Sequence, residues 1–218
     1  MKHKPLQLIA VLVLLLSLAA TAWAGAKQTA GDAPPPVAAE HRERFDLGIL
    51  FVQAAYHAGE SERDGEARRA AIEELASLID YLEQRPETAV LRRALRMVLR
   101  NTGAAEERGA AVEHAAAAYA ATLPVAERWY FGAGASVANA LRWSYLGEET
   151  KLRQELQQLR QLLQTAPARA PASLLGPLRD LARYGRQTAF GLRDLAAIEQ
   201  TARGALDSLN QRPARWAD

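Results

Sequence analysis

Phe45-Asp46-Leu47-Gly48 and Trp129-Tyr130-Phe131-Gly132 open two stretches, FDLGILFVQAAYHA (45–58) and WYFGAGASVANALRW (129–143), whose reading decides the fold. Both are apolar almost all round and neither alternates with the two-residue period of a half-buried strand. Each therefore reads as a buried central helix.

Around each stretch the same order of segments recurs. The first helix is expected over His41–Ala58, followed by Glu66–Gln84 with Ile72, Leu75, Leu78, Ile79 and Leu82 on one face. A third, Glu87–Arg100, groups Leu91, Leu95 and Val98, and a fourth, alanine-rich, spans Ala105–Leu123. Val125–Leu146, Glu148–Thr165, Ala172–Gly185 and Thr188–Leu209 follow in the same sequence. At an offset of 84, FDLG falls on WYFG and Ala54 on Ala138. Leu91, Leu95, Arg96, Val98 and Arg100 fall on Leu174, Leu178, Arg179, Leu181 and Arg183. The fold class expected is all-α: a bundle of about eight helices in two tandem, duplicated four-helix units, 40–124 and 125–212, with a tail over 213–218. The near-80-residue period is too long for the helical hairpins of solenoids.

Upstream, Met1-Lys2-His3-Lys4 is basic, Leu6 to Ala20 is an apolar run, and Ala22-Trp23-Ala24 is a small-x-small site. Residues 1–24 thus read as a secretory signal peptide, since the apolar run is short for a bilayer span. Residues 25–39, with Pro34-Pro35-Pro36, read as a disordered leader. With no cysteine in the chain, disulfides, thiolate chemistry and a lipid-modified N-terminus are all excluded. The 194 residues after Ala24 are long enough to bury a core without cross-links. Use of 23 Arg against 4 Lys suggests a GC-rich bacterial genome and hence the periplasm.

Removal of the signal leaves 25 basic and 25 acidic side chains, so electrostatics gives no reason to expect nucleic acid or anionic lipid as a partner. The balance is uneven, with 12 basic and 16 acidic groups over 25–125 against 13 and 9 over 126–218.

Motifs for chemistry are sparse. Gly132-Ala133-Gly134 and Gly134-Ala135-Ser136 mimic a dinucleotide loop and a hydrolase nucleophile turn, but both need a strand beforehand, and Pro124 to Arg128 is no strand. Gly132, Ser136 and Ala140 instead suggest a small-residue stripe under a neighbouring helix. His41, His57 and His114 include no pair at metal-binding spacing, so neither metal nor cofactor is expected. The candidate ligand-binding residues are Asp46, Gln53 and His57 on one stripe and Ser136, Asn139 and Trp143 on another. Arg92, Arg96 and Arg100, with Arg179, Arg183 and Arg186, are the candidate partner-binding residues, because guanidinium rows can grip carboxylates.

These features point to an exported, non-enzymatic interaction protein whose partner is another exported or envelope protein, with no nucleic acid and no stable membrane insertion after cleavage. A bundle holding a small or amphipathic ligand near Tyr56, Trp129, Tyr130 and Trp143 is the alternative, and an exported enzyme a third. Intact-mass measurement of protein from the producing cell is expected to place its first residue near Gly25. Recovery of a membrane-bound form retaining Met1–Ala24 would make the segment an anchor.

Overall fold

A computed structural model describes residues 39–60, 65–83, 88–100 and 105–210. Within them the chain forms eight α-helices and no strand: α1 (Ala39–Glu60), α2 (Gly65–Glu83), α3 (Ala89–Arg100), α4 (Ala105–Thr122), α5 (Val125–Leu146), α6 (Glu149–Gln164), α7 (Ala172–Arg183) and α8 (Leu192–Asn210). A 3-10 turn, Tyr184–Arg186, extends α7. The expected signal segment, the leader as far as residue 38 and the 213–218 tail lie outside the described residues, and Ala39, expected in the leader, is the first residue of α1. No helix among the described residues is long and apolar enough to cross a membrane.

Local chemistry explains where the helices stop. After α5, Gly147 adopts φ 70°, which only glycine enters at little cost. There the Gly147 N–H reaches Ser144 O and the Glu148 N–H reaches Trp143 O at 3.0 Å, the paired bonds that close a helix C-terminus. The last helix begins at Leu192 rather than the expected Thr188. Phe190 is turned into the core, and Asp194 Oδ2 accepts the Gly191 N–H at 2.8 Å, half of a capping box that sets the start.

The two expected central helices do lie at the centre. α1 packs on α2, α4 and α5, and α5 packs on α6, α8 and α1; α2 meets α3, α3 meets α4, α6 meets α7 and α7 meets α8. Buried leucines follow the helical period: Leu75, Leu78 and Leu82 on α2, Leu152, Leu156 and Leu159 on α6, and Leu174, Leu178 and Leu181 on α7. Leu95 and Val98 are buried as expected, the Leu91 side chain lies outside the described ones, and Ile72 stands out into solvent.

α1 and α5 run side by side and parallel, because their contacts rise together in number: Arg44 with Glu127, Phe51 with Phe131, Tyr56 with Arg142. The two helices meet backbone to backbone. A Cβ on Gly48 would lie under 3.0 Å from Phe131 O and 2.9 Å from Ala135 N, while one on Gly134 would lie under 3.0 Å from Phe45 O and 2.8 Å from Phe45 C. Beside this crossing the helices exchange aromatics: Phe45 of α1 is buried among the side chains of α5 to α8, and Phe131 of α5 among those of α1 to α4.

The exchange is reciprocal, and it fixes the register between the two helices at 86 rather than 84. At that offset Ala39–Glu60 and Val125–Leu146 coincide end to end, and Arg42, Phe45, Gly48 and Ala54 fall on Arg128, Phe131, Gly134 and Ala140. Gly48 is therefore matched by Gly134, and the close helix contact expected at Gly132 lies two residues further on. A Cβ on Gly132 meets only the Leu162 methyls at 3.5 and 3.6 Å.

Gly48→Ala and Gly134→Ala are each expected to destabilise by about 1–3 kcal/mol, since forcing the helices apart outweighs the roughly 1 kcal/mol that alanine gains in helix propensity. Gly132→Ala should be neutral or stabilising. Urea unfolding of the three variants decides the matter: losses at Gly132 but not at Gly134 would contradict the crossing.

Candidate functional site

Three polar clusters interrupt the packing along the α1–α5 pair. At its N-terminal end the Arg44 side chain, 15% exposed, donates from Nε to Glu127 Oε2 at 2.6 Å and from Nη1 to the Tyr119 hydroxyl at 2.8 Å. Burial alone would lower its pKa, but Glu127 and Tyr119 together raise it, so the guanidinium stays charged. The Tyr81 hydroxyl donates to Glu43 Oε1 at 2.9 Å, and its pKa is pushed up by burial and by Asp46. His41 stacks on Tyr130 with ring centres 4.3 Å apart. These contacts tie α1, α2, α4 and α5 together, and the Arg44 guanidinium meets its complement in Glu127.

Asp46 sits beside this cluster, 3.9 Å from Arg42. Its side chain is 44% open to solvent, yet neighbouring helices exclude water from enough directions to push its pKa up to about 6, with Arg42 partly opposing. His57 lies eleven residues further along α1, about 16 Å at the helical rise, and has different neighbours. It is buried and held neutral, its pKa lowered by desolvation and by Arg142. Asp46, half-buried Gln53 and His57 therefore share a helix without forming one pocket.

The second expected set divides as well. Ser136 and Asn139 of α5 converge on Glu155 of α6, which accepts a hydrogen bond from Asn139 Nδ2 at 3.0 Å and another from the Ser136 hydroxyl. Glu155 is 9% exposed and its pKa is raised by burial, the two neutral partners opposing only in part. Sequence reasoning missed this residue. Its signal was available, since Leu152, Glu155, Leu156 and Leu159 follow the i, i+3, i+4, i+7 spacing of a buried stripe, and a glutamate within such a stripe needs an explanation.

Trp143 belongs to a third cluster at the C-terminal end of the pair. The Arg142 guanidinium lies 4.1 Å from the Trp143 ring centre and 5.0 Å from that of Tyr56, and Lys151 Nζ lies 4.6 Å from the indole. Glu113 of α4 stands 3.8 Å from Arg142. Trp129 and Tyr130, expected near Tyr56 and Trp143, are over a dozen residues away along α5. There the Trp129 Nε1–H is spent on Leu162 O at 2.8 Å. The four aromatics accordingly form no shared pocket.

The arginine rows lie on the surface, but α3 uses part of its row locally. Arg96 pairs with Glu83, and Arg92 Nη1 leans on Glu83 O at 3.5 Å, against the C-terminus of α2. On α7, Arg183 pairs with Asp180 at 3.0 Å. Arg100, Arg179 and Arg186 are exposed and meet no described carboxylate. The Gly132-Ala133-Gly134 and Gly134-Ala135-Ser136 motifs lie inside α5, where neither a phosphate loop nor a nucleophile turn exists. Among the described residues no group of three His, Asp or Glu is placed to hold a metal ion. Set against known protein families, curated proteins and solved structures, the chain matches none of them.

The two raised carboxylates make stability depend on pH. A carboxyl whose folded pKa exceeds its unfolded one favours folding while protonated, and that contribution is lost as pH rises from the unfolded value, 3.8 for aspartate, to the folded one, about 6 for Asp46. Thermal unfolding is therefore expected to show falling stability across that window. Glu155→Gln, which keeps the shape and removes the charge, should be more stable than the parent at pH 7 and less sensitive to pH. A variant less stable at pH 7 would mean that Glu155 is held ionised.

Proposed function

We propose that this chain is exported through residues 1–24 and works in the periplasm as a non-enzymatic helical interaction protein that grips an acidic surface of another exported or envelope protein. The observation that carries this reading is the exposure of Arg100, Arg179 and Arg186 with no described carboxylate to neutralise them. The polar groups along the helix pair bond to one another and act as structural ties, whereas these guanidinium groups keep donors available for bidentate pairing. Two arginines of the α3 row, Arg96 and Arg100, recur 83 residues on as Arg179 and Arg183 of α7, helices of equal length. This recurrence, with the 86-residue offset of α1 and α5, supports tandem duplication of a four-helix unit, 40–124 followed by 125–212.

Charge reversal separates a binding surface from a merely solvated one. Arg179→Glu with Arg186→Glu should leave the helical circular dichroism and melting temperature unchanged, because both side chains are exposed. Crosslinked capture of an acidic periplasmic partner should fall roughly tenfold or more, and parental capture should weaken with salt. Equal capture by the parent and the doubly reversed variant would rule the arginine surface out.

A further inference from the structure

Leu152, Leu156 and Leu159 of α6 are fully buried, and Glu155 lies in the same stripe at 9% exposure. A carboxylate placed there loses its hydration, which favours the neutral acid unless a cation stands opposite. On α6 itself, Lys151 extends over the Trp143 ring, Arg153 is turned to Thr188 O at 2.6 Å, and Arg160 is exposed. On α5 the Arg142 guanidinium lies over Tyr56 and Trp143, with Glu113 beyond it. α7 and the turn after it carry Arg179, Asp180, Arg183 and Arg186, all exposed, and the half-buried phenol of Tyr184. Burial raises the Glu155 pKa, and the groups that act against it are the neutral Ser136 and Asn139 rather than any of these charges.

Both partners suit either protonation state. A hydroxyl and a carboxamide each carry an acceptor beside the donor, so Ser136 and Asn139 can donate to a carboxylate, as they do here, or accept from a carboxylic acid. The residues next to Glu155 in the chain hold a different segment. Arg153 Nη2 donates to Thr188 O, and Leu156 O lies against Gly185, where a Cβ would come 3.0 Å from it. Residues 184–190 therefore rest on the turn of α6 that carries Glu155, with Phe190 buried beyond. The seating is imperfect, since Arg153 Nε and Gln187 Oε1 are buried in it and meet no described hydrogen-bond partner. Loosening the contact lets both groups reach solvent.

We propose that Glu155 is a proton-operated latch: with its proton bound it closes α6 on α5, and on losing the proton it admits water and loosens α6 together with the 184–190 segment seated on it. The sign follows from the burial. The carboxylic acid is the form that the apolar stripe accepts, so the closed state is favoured at low pH. That contribution is lost as pH rises above the 4.5 of a solvated glutamate towards the higher value in the fold. A latch differs from a general loss of stability because one flank of the bundle responds and the other does not. It operates whether or not the arginine surfaces of α3 and α7 bind a partner.

Hydrogen exchange read by mass spectrometry on the full mature chain, at about pH 5 and about pH 7.5 with intrinsic rates corrected, tests it. Peptides from α6 and from 184–190 are expected to lose protection roughly tenfold at the higher pH, while those from α1 and α2 hold theirs. Glu155→Gln should keep both segments protected at either pH. Asp46→Asn, which removes the other raised carboxylate, should leave the parental response of α6 intact. Infrared difference spectra between the two conditions should show a protonated carboxyl band that Glu155→Gln lacks. The parental pattern alone separates a latch from a general loss, so the test does not depend on any variant folding. Unchanged protection of α6 in the parent, a loss spread evenly over all helices, or a response that survives in Glu155→Gln or disappears in Asp46→Asn would overturn the proposal.

Discussion

Two helices can touch backbone to backbone only where neither places a Cβ between them, and here that condition is met twice, at Gly48 and at Gly134. Everything else in the fold is arranged about this crossing. Close approach lets Phe45 reach past α5 into the apolar side chains of α6 to α8, and lets Phe131 reach past α1 into those of α2 to α4. Each exchanged ring buries area worth about 1.5–3 kcal/mol, which neither set of helices would gain alone. Interlocking of this kind makes the two halves of the described chain depend on each other, although each has its own leucine stripes.

The polar groups follow from the same geometry. Parallel helices in contact along their length bring their N-terminal turns together and their C-terminal turns together. The first meeting produces the Arg44, Glu127 and Tyr119 tie, in which a covered guanidinium is matched by a carboxylate and a hydroxyl. The second gathers Tyr56, Arg142 and Trp143, with Lys151 supplied by α6 and Glu113 by α4.

Much of the fold was legible in residue order. The all-helical class, the eight segments and the central position of the first and fifth helices follow from apolar spacing, and most boundaries fall within two residues of those expected. The sites were less legible. Asp46, Gln53 and His57 share a stripe, but a helix rises about 1.5 Å per residue, so a stripe spanning eleven residues is a line of separate neighbourhoods. Glu155 escaped notice because a carboxylate in an apolar stripe becomes a feature only when a partner helix presents Ser136 and Asn139 to it.

The offset between the two central helices shows where the division lies. Spacing within one helix is a property of the backbone, so sequence by itself determined that 45–58 and 129–143 are buried helices of the same kind, each rich in small residues. Matching FDLG with WYFG put them 84 apart, because identity of residue type is blind to direction around a helix. A two-residue slip turns a helix face by about 200°, and only tertiary contact distinguishes the glycine that meets a backbone from the one that meets the Leu162 methyls. Gly134 rather than Gly132, and with it the pairing of Gln53 with Asn139 and of His57 with Trp143, was decided by which carbonyl oxygens the neighbouring helix brings into the space a Cβ would fill.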